Sequence, residues 1–403
     1  MENKVIRVSG IAISIISLFF FTVYYFLGGE VMWEKVSGNF MRMEKPYGPG
    51  DFRIKSDAVI SMKIAFPEMK FKSSEQLADP DRAEYTEAWM YNSGETLNRQ
   101  VVQILGGTID GAKAKLFEVP AQNADWWLSP DWQTIYLASD WMDYVKTPRG
   151  QNGPRLAKLF KSDDQGRHWQ RLDWPEDRNV TFLRFLDAQR GYLIGWGPRI
   201  WRTADSGAHW TEIPVPELAR GRDDKRKQFD LVALGKDGVL RFAFFTPCYE
   251  DQQNLSLVYA LRWGEDAPTL AFQMPGHTVV DIADHLGHLY ILSWKGLPTE
   301  VTGSEMPRPS VVSHLGMQAI ESLHEFGPGL KGYALYMTPS GGLLFDGEDE
   351  SGVMPANITA LSYDGGKRWK VENEGRAQGG YYDTITGTRW QVKGYALYKR
   401  TIR

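Results

Sequence analysis

Two histidines three residues apart, His285 and His288, followed downstream by His314 and His324, are the residue type that most often holds a transition metal. Gly287 sets a turn between the first two and no carboxylate flanks them in ligand spacing, so they read as solvated or capping histidines, with no metal assigned. The acidic stretch Asp346-Gly-Glu-Asp-Glu350 lacks the alternating oxygen ligands of a calcium loop and reads as a solvated hairpin tip. Cys248 is the single cysteine, which excludes an intrachain disulfide, a redox pair and a Cys-based zinc knuckle. With no histidine beside it in sequence, it reads as a small buried hydrophobe rather than a nucleophile. No cofactor is implied by any of these groups.

Recognition chemistry is better represented. Trp126, Trp127, Trp132 and Trp141 crowd around Ser129-Pro130-Asp131, itself a hairpin-turn sequence. Successive strand residues point to opposite faces, so Trp126 and Trp127 cannot share one core, and one of them is exposed or packs on another element. Tryptophan is enriched among interface anchors, making Trp126, Trp127 and Trp141 candidates for partner binding beside their ordinary packing role. Arg220 and Arg222 open a mixed-charge stretch ending at Lys227, which suits either an exposed loop or contact with an acidic partner or lipid headgroups.

These residues need elements to position them, and the chain offers short strands. Ala58 to Phe66, Thr134 to Ala138, Arg190 to Gly195, Val239 to Phe245, Leu255 to Arg262 and His288 to Leu292 are apolar, β-branched or aromatic runs between turn residues. Only Glu84 to Tyr91 and Met317 to Leu323 suggest short helices. The 403 residues carry 46 basic against 50 acidic side chains, which disfavours a nucleic-acid partner, and 13% aromatics, which suffices for a large core.

Val8 to Gly29 is an uncharged apolar run of 22 residues, long enough at about 1.5 Å per residue to cross a ~30 Å hydrocarbon layer. Lys4 and Arg7 precede it and Glu30 follows, which orients the N-terminus to the cytoplasm and sends the rest across. No small-residue cleavage site follows, favouring an uncleaved anchor over a signal peptide. Residues 1–29 are therefore expected to form a cytoplasmic stub and transmembrane helix, 30–50 a Gly/Pro tether, and 51–403 the folded domain.

A four-position pattern recurs in that domain: Ser162, Asp164, Gly166 and Trp169; Thr203, Asp205, Gly207 and Trp210; Ser362, Asp364, Gly366 and Trp369. The aspartate and hydroxyl bond a tight turn locally, glycine permits positive φ, and the tryptophan returns to the sheet. The first two aspartates lie 41 residues apart and the next pair 159, close to four periods of about 40. The hexapeptide Lys-Gly-Tyr-Ala-Leu-Tyr occurs at 331–336 and again at 393–398, with a looser relative at 190–195, as if marking equivalent inner strands.

These windows resemble the Asp-box, or BNR repeat, of sialidases, photosystem assembly factors and sugar-binding propellers. The resemblance implies an all-β propeller of six to eight blades, seven favoured, with its Asp-box turns away from the functional face. The strand at Trp390 to Tyr398 is expected to close the ring with Ala58 to Phe66. Asp51-Phe52-Arg53-Ile54 matches three residues of the sialidase Phe-Arg-Ile-Pro sequence, which would make Arg53 a carboxylate-binding arginine; Lys55 replaces the proline and no partner arginines or nucleophile are legible. Arg53 otherwise reads as a surface residue of an ordinary first strand.

A single-pass anchor with a periplasmic propeller also resembles, in architecture, the immunity proteins that neutralise type VI secretion lipase effectors. That implies a non-enzymatic inner-membrane protein whose partner is a lipase effector, bound and occluded. A sialidase-like or carbohydrate-binding propeller and a membrane-bound assembly factor remain the alternatives.

Overall fold

The computed structural model describes residues 34–37, 51–65, 68–70, 96–98, 101–111, 114–121, 123–142, 155–175, 180–195, 199–215, 231–235, 237–248, 253–285, 287–296, 308–316, 319–351, 356–375, 379–393 and 396–402. The expected membrane segment at 8–29 and the candidates Arg220 and Arg222 lie outside them. Among the described residues no helix is long and apolar enough to cross a membrane.

Thirty strands form seven four-stranded antiparallel sheets and one two-stranded hairpin among these residues. Blade 1 contains β2 (Asp51–Lys55), β3 (Ala58–Ala65), β6 (Val101–Thr108) and β7 (Ala114–Pro120), with the hairpin β4 (Glu68–Lys70) and β5 (Thr96–Asn98) inserted. Blade 2 is β8 (Asn123–Leu128), β9 (Ile135–Met142), β10 (Arg155–Ser162) and β11 (Gln170–Leu172). Blade 3 is β12 (Val180–Phe185), β13 (Gly191–Gly195), β14 (Arg199–Thr203) and β15 (Thr211–Ile213). Blade 4 is β16 (Leu231–Leu234), β17 (Leu240–Cys248), β18 (Gln253–Leu261) and β19 (Thr269–Pro275). Blade 5 is β20 (His277–His285), β21 (His288–Lys295), β22 (Ser310–Leu315) and β23 (Ile320–Glu325). Blade 6 is β24 (Leu330–Met337), β25 (Leu343–Asp349), β26 (Ala356–Ser362) and β27 (Lys370–Gly375). Blade 7 takes β28 (Gly379–Asp383), β29 (Thr388–Lys393) and β30 (Ala396–Thr401) from late in the sequence and β1 (Glu34–Ser37) from ahead of blade 1. The molecule is a seven-bladed β-propeller, a ring that leaves only short strand edges exposed.

Alternation along each strand sends one set of side chains to the preceding blade and the other to the next. One buried cluster fills each of the seven interfaces. Leu159, Leu183, Phe185 and Trp201 join blades 2 and 3, while Leu292, Val312, Phe345 and Ile358 join blades 5 and 6. Among the described residues the cluster between blades 6 and 7 is the smallest, with Leu344, Tyr382 and Ile402 buried.

The three Ser/Thr-x-Asp turns share one hydrogen-bond pattern, each joining the third and fourth strands of its blade. In the first, Ser162 Oγ donates to Asp164 Oδ1 at 2.9 Å and accepts Gly166 N–H at 2.8 Å, while Trp169 Nε1–H donates to Gly166 O at 2.9 Å. Thr203 and Ser362 repeat the first two bonds at 2.9 Å. Gly166, Gly207 and Gly366 sit at φ of 86°, 84° and 88°, the left-handed region that glycine tolerates. The aspartates also take the N–H of the residue four on, and for Asp205 that bond from His209 lowers the carboxyl to about 2.

Several expectations need correction. The closing strand is Glu34–Ser37, inside the span read as tether, because β1 pairs antiparallel with β30; Ala58–Ala65 is the second strand of blade 1. Asp205 and Asp364 are three blades apart rather than four, since the 216–230 and 297–307 connections and the longer strands of blades 4 and 5 exceed what the uniform period allowed. The repeated hexapeptide spans the innermost strand of blade 6 but reaches the third strand of blade 7, so it encodes alternation, not blade position. Ile320–Glu325, partly assigned to a helix, is a strand paired with β22. Asp346 is no hairpin tip: it lies within β25 and faces Arg389 of blade 7.

Candidate functional site

Chain direction separates the two ends of the ring. Turns between first and second strands, and between third and fourth, open on one end; this end carries the three Ser/Thr-x-Asp turns. Connections between second and third strands, and from blade to blade, leave from the other. The long connections, 143–154 from β9 to β10, 216–230 from β15 to β16 and 297–307 from β21 to β22, all depart there, as does the insertion in blade 1. Loops on a rigid scaffold are where recognition residues concentrate. Trp141 lies in β9 just before one of these connections.

An aromatic and cationic cluster sits on this end, and sequence reasoning missed it. Trp294 is the penultimate residue of β21, beside connection 297–307, Arg308 follows that connection, and Lys331 and Tyr333 lie near the start of β24 of the next blade. The guanidinium of Arg308 lies 5.0 Å from the Trp294 ring centroid and the Lys331 ammonium 5.3 Å from it, cation–π distances both. Trp294 Nε1–H donates to Gly332 O at 2.9 Å, locking the indole against blade 6. Tyr333 is 43% exposed; its hydroxyl donates to Glu348 at 2.9 Å, while Lys331 pairs with Glu350 at 3.2 Å. Partial burial lowers the Arg308 guanidinium below its ordinary value, which marks a cation held partly out of water. The four residues fall in three separate sequence segments, so only the fold brings them together.

The propeller axis is polar. Asp125 Oδ2 on the innermost strand of blade 2 accepts Leu183 N–H at 2.7 Å and Arg184 Nη1–H at 2.6 Å from blade 3. Asp281 on blade 5 repeats the device, accepting Leu335 N–H of blade 6 at 2.8 Å and Ile282 N–H at 2.8 Å. Between blades 7 and 1, Tyr381 Oη accepts Ile54 N–H at 2.8 Å. Burial raises the Asp281 carboxyl to about 6 despite these bonds, and it also drives the Tyr336 phenol upward. Arg53, expected at the surface, instead lies on the innermost strand, 5.2 Å from the Tyr381 ring and 5.6 Å from that of Trp126. These carboxylates and the tyrosine therefore hold neighbouring innermost strands together.

Other sequence candidates are accounted for by packing. Trp126 is 7% exposed in the core between blades 1 and 2, and Trp127 packs between blades 2 and 3, its ring tilted against those of Tyr136 and Phe185. Strand alternation sends the two indoles into different blade interfaces. His288 and His314, distant in sequence, are brought side by side on blade 5, whereas His324 packs edge-on against Phe326. Cys248 ends β17.

No family model matches the chain. A 70-residue stretch is 37% identical to vacuolar protein sorting/targeting protein 10 of Mycosarcoma maydis, covering 16% of this chain and 5% of that protein, so the chain spans about a twentieth of that curated relative. Among solved structures, the β-propeller domain of the Trilobed protease from Pyrococcus furiosus is similar in fold, with TM-score 0.50 and 12% identity over 89% of this chain and 96% of that one. That domain is described as having an open velcro topology; here the β1–β30 pairing interlocks strands from opposite ends of the sequence. YCF48 from Cyanidioschyzon merolae aligns with TM-score 0.47 and 12% identity over 75% and 91% of the two chains.

Proposed function

We propose that this propeller binds a protein partner on the end from which its long connections leave, and that it is not an enzyme. The observation that carries the reading is the Trp294, Arg308, Lys331 and Tyr333 cluster, which joins Trp, Arg and Tyr, the residue types most enriched at interface hot spots, on a rigid sheet. The finer reading follows the architecture. Residues 8–29 anchor the chain in the inner membrane, the propeller stands in the periplasm as an immunity protein, and its partner is a secreted lipase effector whose active-site entrance it occludes. The three Ser/Thr-x-Asp turns are then Asp-boxes with a structural role at the opposite end.

Affinity capture with the full chain from its native host tests both levels. One partner protein should be recovered by the native chain and lost from the Arg308→Glu and Tyr333→Ala variants, and its phospholipid hydrolysis should stop when the complex forms. Equal capture by the variants overturns the assignment of this end. A partner without lipase activity overturns the immunity role while leaving the binding surface intact. Arg53 at the axis favours the carbohydrate alternative, and turnover of a fluorogenic sialoside, abolished in Arg53→Ala, would establish glycosidase activity in place of protein binding.

A further inference from the structure

We propose that His288 and His314 form a binding site for a divalent transition metal on blade 5, at the end of the ring that carries the Ser/Thr-x-Asp turns. His288 opens β21 and His314 lies near the end of β22, strands locked together by consecutive register pairs from Leu289↔Leu315 to Trp294↔Ser310. His288 Nδ1 and His314 Nε2 are 3.1 Å apart. With metal–nitrogen bonds of about 2.0–2.1 Å, two imidazole nitrogens on one ion stand roughly 2.9 Å apart at a right angle and roughly 3.3 Å apart in a tetrahedron. The observed separation falls between these values.

The surroundings suit a cation. His288 is exposed and His314 half-buried, so an ion and its water ligands can enter. The His314 ring lies 5.2 Å from that of Tyr290, which packs into the core between blades 5 and 6 and fixes one side of the site. Directly opposite His314 on the outermost strand is Glu321, exposed and with no ion pair among the described residues. Cross-strand register places it on the same sheet face, one side-chain rotation from a third donor. His285 is the register partner of His288 on the innermost strand. As they stand, no three such side chains are gathered among the described residues, so the ion is held by two imidazoles and completed by water. Two other exposed histidines among the described residues are occupied differently: His168 and His209 clasp Asp164 and Asp205 at 2.5 and 2.6 Å within their turns.

In the present geometry the two nitrogens share a hydrogen bond. A metal ion takes the place of that proton, which shifts to the other nitrogen of the same ring; an imidazolium must first release a proton, so binding competes with protonation. The test uses the untagged full chain, stripped with chelator, titrated with zinc chloride by calorimetry and with copper(II) chloride by electron paramagnetic resonance. One equivalent of zinc should bind more tightly at pH 7.5 than at 5.5, and the copper spectrum should show two nitrogen ligands. His288→Gln and His314→Gln should each weaken zinc binding by more than about tenfold, since even outer-shell changes cost about 10–100-fold, with Glu321→Gln having the smaller effect. Unchanged melting curves without metal separate loss of a ligand from loss of fold. Zinc affinity retained in the double variant, or a copper spectrum without nitrogen ligands, overturns the proposal.

Discussion

The interface between blades 2 and 3 and that between blades 6 and 7 do the same job with opposite chemistry. The first is apolar and aromatic: Tyr136 stacks on Phe185 at 3.9 Å, Leu159 and Leu183 are fully buried, and the Tyr136 hydroxyl donates to Ala188 O at 2.8 Å. Among the described residues the second fully buries three apolar side chains, with Tyr336 and Leu361 packed beside them, and adds a network of charge. Arg389 holds Asp346 through both terminal nitrogens at 2.8 Å; Glu374, 4% exposed, lies between Arg389 and Arg400 at 3.6 and 3.5 Å and accepts from Thr359 and Gln391 at 2.9 Å. Arg400 also pairs with Glu372. Apolar contact is non-directional, whereas a two-pronged guanidinium–carboxylate pair has one geometry. At the interface beside the blade assembled from distant parts of the chain, buried ion pairs fill the position that stacked rings hold between blades 2 and 3.

Glu374→Ala should break this contrast hardest. It removes the carboxylate shared by two buried arginines and should cost about 3–5 kcal/mol in denaturant unfolding, the penalty for orphaning buried charge. Leu159→Ala opens a cavity in the apolar interface and should cost about 2–5 kcal/mol, measured the same way. Gly366→Ala forces a side chain to φ of 88°, where an added Cβ would meet Leu323 at 3.0 Å; about 1–2 kcal/mol should be lost, measured the same way.

The smallest effect concerns the axial latch. Asp281 is raised from 3.8 to about 6 in the folded chain, so its favourable contribution is complete below pH 4 and disappears as pH rises through 6. Arg184 on one side and Tyr336 on the other are the charged and titratable groups that face it. The melting temperature of Asp281→Asn should lack the decline that this group gives the native chain between pH 4 and 6. Asp205 has the opposite sign: lowered to about 2, it favours the fold above pH 4 and loses that effect as pH falls to 2.

Local features were legible. All six apolar runs expected to be strands coincide with strands to within a few residues, because each is bounded by its own turn residues. The three turns were equally clear, since the hydroxyl, carboxylate and glycine bonds that define them close within four residues. What escaped notice depends on distant partners. Glu34–Ser37 has no strand signal in a Gly/Pro-rich span and becomes one only against β30. Asp346 looks solvated among Gly347, Glu348 and Asp349 until Arg389 faces it from the next blade. Trp294 with Arg308, and His288 with His314, are likewise pairs that the fold creates.

Interlocking β1 with β30 in one blade also fixes an order of events. Glu34 pairs with Lys399, so the strand that completes blade 7 leaves the ribosome ahead of all six other blades and its partner follows them. Six blades can stack as they emerge, each on the one before, while β1 waits without a neighbour until the last of them has been made. Contacts this remote in sequence are slow to form because the intervening chain must be ordered first. A nascent chain halted before residue 396 would have no strand for β1 to join, and its seventh blade would stay open.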